Sequence, residues 1–259
     1  MTGCDPVPVL LARWAMRTPT LLLLLALTAC GGPVERELSP SSAGLNVAEA
    51  ALRGGSAQVA LQVAGGILAN SPSNVGALEI QGDALTMLGR HDAATGSFER
   101  ALSLDSGSTR AKTGLGRLRL GTDPADAERL FLEVLGKEPR DVVALNNLGI
   151  ARDLQGRHAD AQAAYRQALG LNPELHAAQV NLALSLAMSG QGARALPLIQ
   201  PLASAPGASR KVRHDYAVVL AMSGKRAEAE RILAADLTPE EVRQALAELD
   251  AKAAQTPQQ

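Results

Sequence analysis

The chain has 259 residues, 46% hydrophobic and 20% charged, which allows a sizeable core and excludes wholesale disorder. Aromatic residues are only 2%, so an Ala- and Leu-rich chain of this kind argues for helices and against a β-sandwich or barrel. A net charge of −1 argues against a nucleic-acid binder held by bulk electrostatics, and two cysteines, Cys4 and Cys30, exclude four-cysteine metal sites and disulfide frameworks.

The N-terminus reads as an address. Arg13 and Arg17 precede the apolar run Leu21–Leu27, which leads into Leu27-Thr28-Ala29-Cys30-Gly31-Gly32. A basic start, a short apolar stretch and small residues before a cut describe a secretory signal over residues 1–29. The apolar run is too short to span a bilayer as a mature helix. Translation starts at Met1 or at Met16, since Met16-Arg17 runs straight into the apolar stretch. Leu-Thr-Ala-Cys resembles the bacterial lipobox, which implies that the Cys30 thiol is lipidated and becomes the new N-terminus. Several acyl chains anchor stably, at about 0.8 kcal/mol per buried CH₂. Gly31 rather than Asp follows Cys30, and by resemblance to enterobacterial sorting this implies the periplasmic face of the outer membrane. Residues 30–42 then hold Gly, Pro and Ser without periodicity and read as a tether. About ten flexible residues span roughly 18 Å on average, so the folded body is expected close to the membrane.

A period of 34 residues organises the rest. Alanines recur at Ala60, Ala94, Ala127, Ala161, Ala195 and Ala229, in steps of 34, 33, 34, 34 and 34. Small residues keep the same steps at Ala48, Gly82, Gly116, Gly149, Ala183 and Ala217. Turn glycines follow at Gly55, Gly89, Gly156, Gly190 and Gly224, and Pro72, Pro139 and Pro173 close three of the units. The pattern resembles the tetratricopeptide repeat. The clearest copy is Val142–Leu175, where Leu148-Gly149, Gly156, Ala161, Tyr165, Ala168 and Pro173 occupy the motif positions. The resemblance implies an all-α, right-handed superhelical solenoid of about six helix-turn-helix units.

The physics of the pattern is direct. In each unit a small residue of the first helix, A, is expected to face the alanine of the second, B, letting their axes approach to about 8–10 Å. Glycine ends helix A and supplies the turn. Phe98, Phe131 and Tyr165 share one position in helix B and are expected to fill the gaps between neighbouring units. Ala161 should lie where two helices cross, with Gln162 beside it outside the packing. The units are Ser41–Asn74, Val75–Ser108, Thr109–Asp141, Val142–Leu175, His176–Ser209 and Arg210 onward, an array over residues 41–237. The third lacks one residue near its turn. Pro197 and Pro201 are expected to kink or break helix B of the fifth, at about 3 kcal/mol each in a regular helix interior. Thr238-Pro239-Glu240-Glu241 opens a capping helix over residues 238–253, with Leu246 and Leu249 on its apolar face. Residues 254–259 are expected as a disordered tail.

No catalytic constellation emerges. His91, His158, His176 and His214 are dispersed, and His91 and His158 share a repeat position where a packing role is expected. No Gly-rich phosphate loop follows a strand. No enzyme activity, cofactor, metal, nucleic acid or small-molecule substrate is therefore expected. The array does offer a groove lined by its A helices. Met87, Met188 and Met222 fall at one position late in helix A, with Leu154 in the unit between, and flexible thioethers suit an adaptable apolar surface. Further groove candidates are Asn147, Ile150, Val180, Asn181, Leu184, His214 and Val218. In the tetratricopeptide family the position of Asn147 and Asn181 often bonds the backbone of a bound peptide. The basic clamp for a C-terminal carboxylate is missing, since Asn146 and Ile150 stand where a Lys and an Asn belong. Arg210, Lys211, Arg213, Lys225, Arg226 and Arg231 make the sixth unit locally basic, either as a solvated face or as a patch for an acidic partner.

The C-terminal stretch carries a narrower resemblance. Val212-Arg213-His214-Asp215-Tyr216-Ala217, Gly224-Lys225-Arg226-Ala227-Glu228-Ala229-Glu230 and Asp236-Leu237-Thr238-Pro239-Glu240 are similar to the ending of the TadD family, lipoproteins of Flp-type (tight-adherence) pilus assembly. That resemblance implies a non-catalytic factor, anchored through its lipid, that helps the pilus secretin or other Tad proteins assemble or localise. Other repeat lipoproteins fit the same outline: a type IV pilus pilotin, a scaffold for peptidoglycan enzymes, or a part of the outer-membrane protein insertion machinery.

Overall fold

The computed structural model describes residues 40–255, with side chains from 42 to 251. The signal, Cys30, most of the tether and the last four residues of the tail lie outside the described residues. Thirteen α-helices and no strand occur among the described residues. They are α1 (Pro40–Arg53), α2 (Ala57–Asn70), α3 (Val75–Met87), α4 (His91–Leu104), α5 (Thr109–Arg119), α6 (Pro124–Lys137) and α7 (Val142–Leu154). Then follow α8 (His158–Leu171), α9 (His176–Met188), α10 (Gly192–Ser204), α11 (Arg210–Met222), α12 (Arg226–Leu233) and α13 (Pro239–Gln255). Each helix packs on the next in sequence, and odd-numbered helices also pack on each other, α1 on α3, α3 on α5, α7 on α9 and α9 on α11. The result is a solenoid of helical hairpins whose odd-numbered A helices share one face.

The turn glycines show why each hairpin closes where it does. Gly55, Gly89, Gly156, Gly190 and Gly224 all have φ between 71° and 77°, a region that strains any residue with a Cβ. That conformation lets the next amide reach back five residues: Arg90 N–H to Leu85 O at 2.9 Å, Arg157 to Arg152 at 2.9 Å, Gln191 to Leu186 at 2.8 Å. The third unit, one residue shorter, uses a different device. Asp123 N–H donates to Arg119 O at 2.8 Å, and the Asp123 carboxylate then caps α6 by accepting from the Asp126 N–H at 3.0 Å.

The small-residue series positions rings. A Cβ on Gly82 would come within 2.5 Å of the Phe98 ring, and one on Gly114 of the next unit within 2.3 Å of the same ring. Gly149 stands in the same relation to Tyr165, at 2.3 Å. The nearest neighbour of the helix-A glycine is thus the ring, not the alanine the repeat pattern suggests. The alanines of the series are nevertheless fully buried, and Phe98, bearing on glycines of two units, is the wedge between them.

Two expectations need correction. Helix α10 runs continuously through Pro197 and Pro201. The two prolines are four residues apart and both exposed, so the missing N–H of Pro201 frees the solvent-facing carbonyl of Pro197, which water can satisfy. Gln162 is only 4% exposed, and its amide donates to Ser189 Oγ at 2.9 Å, so it belongs to the packing between units.

Beyond the sixth unit, Thr238 and Glu241 form a reciprocal cap on α13, with Thr238 N–H donating to the Glu241 carboxylate at 2.8 Å. Val242 and Leu246 bury against the array. The basic start of α11 is spent holding this end: Arg213 donates to both Asp236 carboxylate oxygens at 2.8 and 2.9 Å, and Arg210 to the Asp236 carbonyl at 2.7 Å. Lys211 pairs with Asp215 at 2.6 Å. The Arg213 hydrogen bond, opposed by a smaller burial effect, holds the Asp236 carboxyl below the usual carboxylate range. Arg210 and Arg213 therefore hold the last turn in place; they are not a free patch for an acidic partner.

Candidate protein-binding groove

The A helices present a repeated row. The ninth residues of the six units are Glu49, Asp83, Arg117, Ile150, Leu184 and Val218. All are exposed or half-buried, so the row faces solvent along the shared face. Its chemistry changes midway: three charged residues, then three aliphatic ones.

In the first half, charge ties the units together. Arg110 on α5 reaches Asp83 on α3 at 2.8 Å and also contacts Glu49 on α1. Burial would lower the Arg110 pKa, but the two carboxylates outweigh it and hold the guanidinium above its ordinary value. Ser108 donates to Glu79 at 2.5 Å nearby. None of these residues was singled out from the sequence, although the nine-residue offset shared with Ile150, Leu184 and Val218 marks Glu49, Asp83 and Arg117.

In the second half the row is apolar. Ile150 and Leu184 pack half-buried on the C-terminal core, and Val218 is half-buried at the same repeat position of α11. The thirteenth residues continue this surface at the ends of α7, α9 and α11. Leu154 is 55% exposed, while Met188 and Met222 are half-buried and Met222 packs on the core. Met87, the equivalent residue of α3, is 52% exposed but stands in the charged half. Val180 is buried and forms floor rather than surface. Asn181 donates to Asn146 at 3.0 Å. Asn147 is buried, and its Nδ2 has no hydrogen-bond partner among the described residues. His214 is half-buried, and its Nε2 lies 3.3 Å from Asp236 Oδ2 without the alignment of a hydrogen bond.

Two polar networks stiffen the joints beneath this face. Between the third and fourth units, Glu128 accepts from Arg152 at 2.9 Å, Gln155 at 2.9 Å and Arg157 at 2.7 Å. Burial pushes the Glu128 carboxyl up, but these donors more than offset it and hold the group below the usual range. Between the fourth and fifth, Asp153 accepts from Ser185 Oγ at 2.7 Å and from the Tyr165 hydroxyl at 2.9 Å, with His158 Nδ1 at 2.8 Å. Burial, reinforced by Asp153, raises the Tyr165 pKa far above its ordinary value, so the phenol stays protonated as a donor. Serine, histidine and aspartate meet here, but not as a nucleophile and its base. Ser185 is fully buried and donates to the carboxylate, so no hydroxyl is presented to a substrate. His158 is a structural partner in this network; His91, at the same repeat position, is exposed. Among the described residues no three His, Cys, Asp or Glu side chains converge on a metal position.

A search of the curated proteins finds no match. Solved structures match the fold widely. PilW, described as a widely conserved type IV pilus biogenesis factor, superimposes with a TM-score of 0.69 at 23% identity, over 80% of this chain and 98% of that one. PilF of Pseudomonas aeruginosa gives 0.65 at 17% identity, over 80% and 97%. A tetratricopeptide repeat protein of Parabacteroides merdae gives 0.61 at 18%, over 81% and 83%. At these identities the likeness speaks for the fold. The family assignment comes from the sequence: the tetratricopeptide repeat model matches residues 45–109, 113–161 and 155–209, more than half of the chain. With the glycine-closed hairpins and their ring-and-glycine packing, these matches place the chain in the tetratricopeptide repeat family.

Proposed function

We infer that this chain is a non-catalytic scaffold of the TadD type, held at the periplasmic face of the outer membrane by lipid on Cys30, that binds a protein client during assembly of a Flp-type pilus, with the secretin as that client. The observation that carries the binding role is the aliphatic row Ile150, Leu184 and Val218, half-buried and partly open to solvent on the shared face of the A helices, at the position where the first three units carry charge. The lipobox ending in Cys30 and the C-terminal stretch from Val212 to Glu240 support the anchor and the family. No helix among the described residues is long and apolar enough to cross a membrane, so a lipid on Cys30 is the attachment this reading calls on.

The likeness to PilW favours a second reading, a factor for a type IV pilus instead of a Flp pilus. Neighbouring genes separate the two: tight-adherence secretin, prepilin peptidase and ATPase genes support the first. The direct test labels cells with a radiolabelled fatty acid and pulls the chain from membranes. Label on the native chain and not on Cys30→Ser, with the secretin recovered only with the native chain, supports the proposal. Label retained by Cys30→Ser, or a secretin that never co-purifies, refutes it.

A further inference from the structure

The third unit bears on what chemistry the groove accepts. Its A helix, α5, has 11 residues where α3 and α7 have 13. A polar cleft of about 310 Å³ opens beside it, lined by Asp83, Thr109, Arg110, Thr113, Arg117 and Asp141. The charges in this cleft are not equivalent. Asp83 is held by Arg110 at 2.8 Å, and Arg110 is also claimed by Glu49. Asp141 caps α7, accepting from the N–H groups of Val143 at 2.8 Å and Ala144 at 3.1 Å, so the positive end of that helix already compensates it. Arg117 is exposed and, among the described residues, makes no ion pair or hydrogen bond; the hydroxyls of Thr109 and Thr113 are likewise unengaged. The cleft therefore holds one uncommitted cation with two hydroxyl donors near it. One unit further on, the same repeat position becomes Ile150, then Leu184 and Val218.

We propose that the groove takes an extended protein segment with an aspartate or glutamate seated on Arg117 and aliphatic side chains seated on Ile150, Leu184 and Val218. This rests on the groove reading above and adds the partner's chemistry to it. The fit is one of charge and of spacing. A guanidinium presents a planar fork that matches a carboxylate, and nothing on the protein occupies it. Packed helices such as α7, α9 and α11 stand about 8–10 Å apart and an extended chain advances about 3.3 Å per residue, so the units that carry Ile150, Leu184 and Val218 are bridged by about three residues each. The recognised segment is therefore one acidic residue in line with aliphatic residues at intervals of three.

Fluorescence anisotropy on the full chain in detergent tests this with synthetic peptides. The probe is a ten-residue segment, Glu at one end and Leu at every third position, made with Glu first and with Glu last (about three residues per unit). One order or both should bind saturably. Replacing the peptide's Glu by Gln should weaken binding about tenfold, as the Arg117→Gln protein should with the original peptide, and the two changes together should cost no more than either alone. Arg117→Gln should melt like the native chain, because the side chain is exposed. No saturable binding up to about 1 mM overturns the proposal. So does a Gln peptide that loses as much on Arg117→Gln as on the native chain. A peptide with Ser for Leu separates this from the groove reading. If Leu matters and Arg117 does not, the carboxylate assignment falls and the groove stands; if neither matters, both fall.

Discussion

The first three units and the last three are built alike and finished differently. Both halves close their hairpins with short turns and wedge an aromatic ring against glycine, Phe98 on Gly82 and Gly114 in one, Tyr165 on Gly149 in the other. On the exposed face of the A helices they diverge, with Glu49, Asp83 and Arg117 in the first half and Ile150, Leu184 and Val218 in the second. Positions that stack the array repeat, because each unit meets the same neighbour problem. Positions that face solvent are free of that demand, so a switch in their chemistry is where function can be read.

The largest effect should ignore the difference between the halves. Gly82→Ala and Gly149→Ala, at the same repeat position, drive a methyl to 2.5 and 2.3 Å from a buried ring. Overpacking of this kind should cost about 3 kcal/mol at either site. Gly170→Ala, where a Cβ meets open space within α8, should be neutral or stabilise by up to about 1 kcal/mol. Urea unfolding of the three variants checks this; a tolerated Gly82→Ala beside a damaging Gly149→Ala would mean the halves are not stacked alike.

The seam between the halves should come next. Glu128→Gln removes the carboxylate that Arg152 and Arg157 share. It should cost about 2 kcal/mol at pH 7, since a charged acceptor is lost and two guanidinium groups are left short of one. The Glu128 pKa is lowered by folding, so its contribution is present above the unfolded value of about 4.3 and fades as pH falls through the folded value. Native and variant stabilities should therefore converge in acid, and a constant difference from pH 7 to pH 3 would show that the carboxylate charge is not the cause.

Within the charged half, Arg110→Ala should matter less. The side chain is one-third exposed, and its ion pairs are partly solvated. A loss of about 0.5–1 kcal/mol, smaller still in molar salt, is expected from melts at two ionic strengths.

How much of this was legible depended on whether a residue answers to the repeat. The alanine series, the turn glycines and the aromatic wedges could be read from spacing, because each repeats its role. Pro197 and Pro201 could not, since the cost of a helical proline depends on which way the freed carbonyl points. Gln162 was misjudged as outside the packing because polarity is a poor guide where two units meet and a partner such as Ser189 is supplied from the next one. The basic start of α11 read as surface charge until Asp236 came back from 23 residues downstream to meet Arg213. Spacing put Met87, Leu154, Met188 and Met222 late in helix A, and each is the last residue of its helix, but spacing does not give their burial, which depends on how far each helix end projects. The charged half was missed because its residues look like ordinary solvated side chains until Arg110 is seen to join three units.

The central claim is that the aliphatic half is the binding surface, and Leu154 and Met87 test it together. They share a repeat position and are almost equally exposed, at 55% and 52%, so Leu154→Glu and Met87→Glu should leave the melting temperature alike and near that of the native chain. Binding of the purified secretin to each should then differ. A glutamate at 154 would be desolvated against an apolar client and should weaken binding more than about tenfold, whereas one at 87 should leave it within about twofold. Equal losses, or an unaffected Leu154→Glu, would contradict the account.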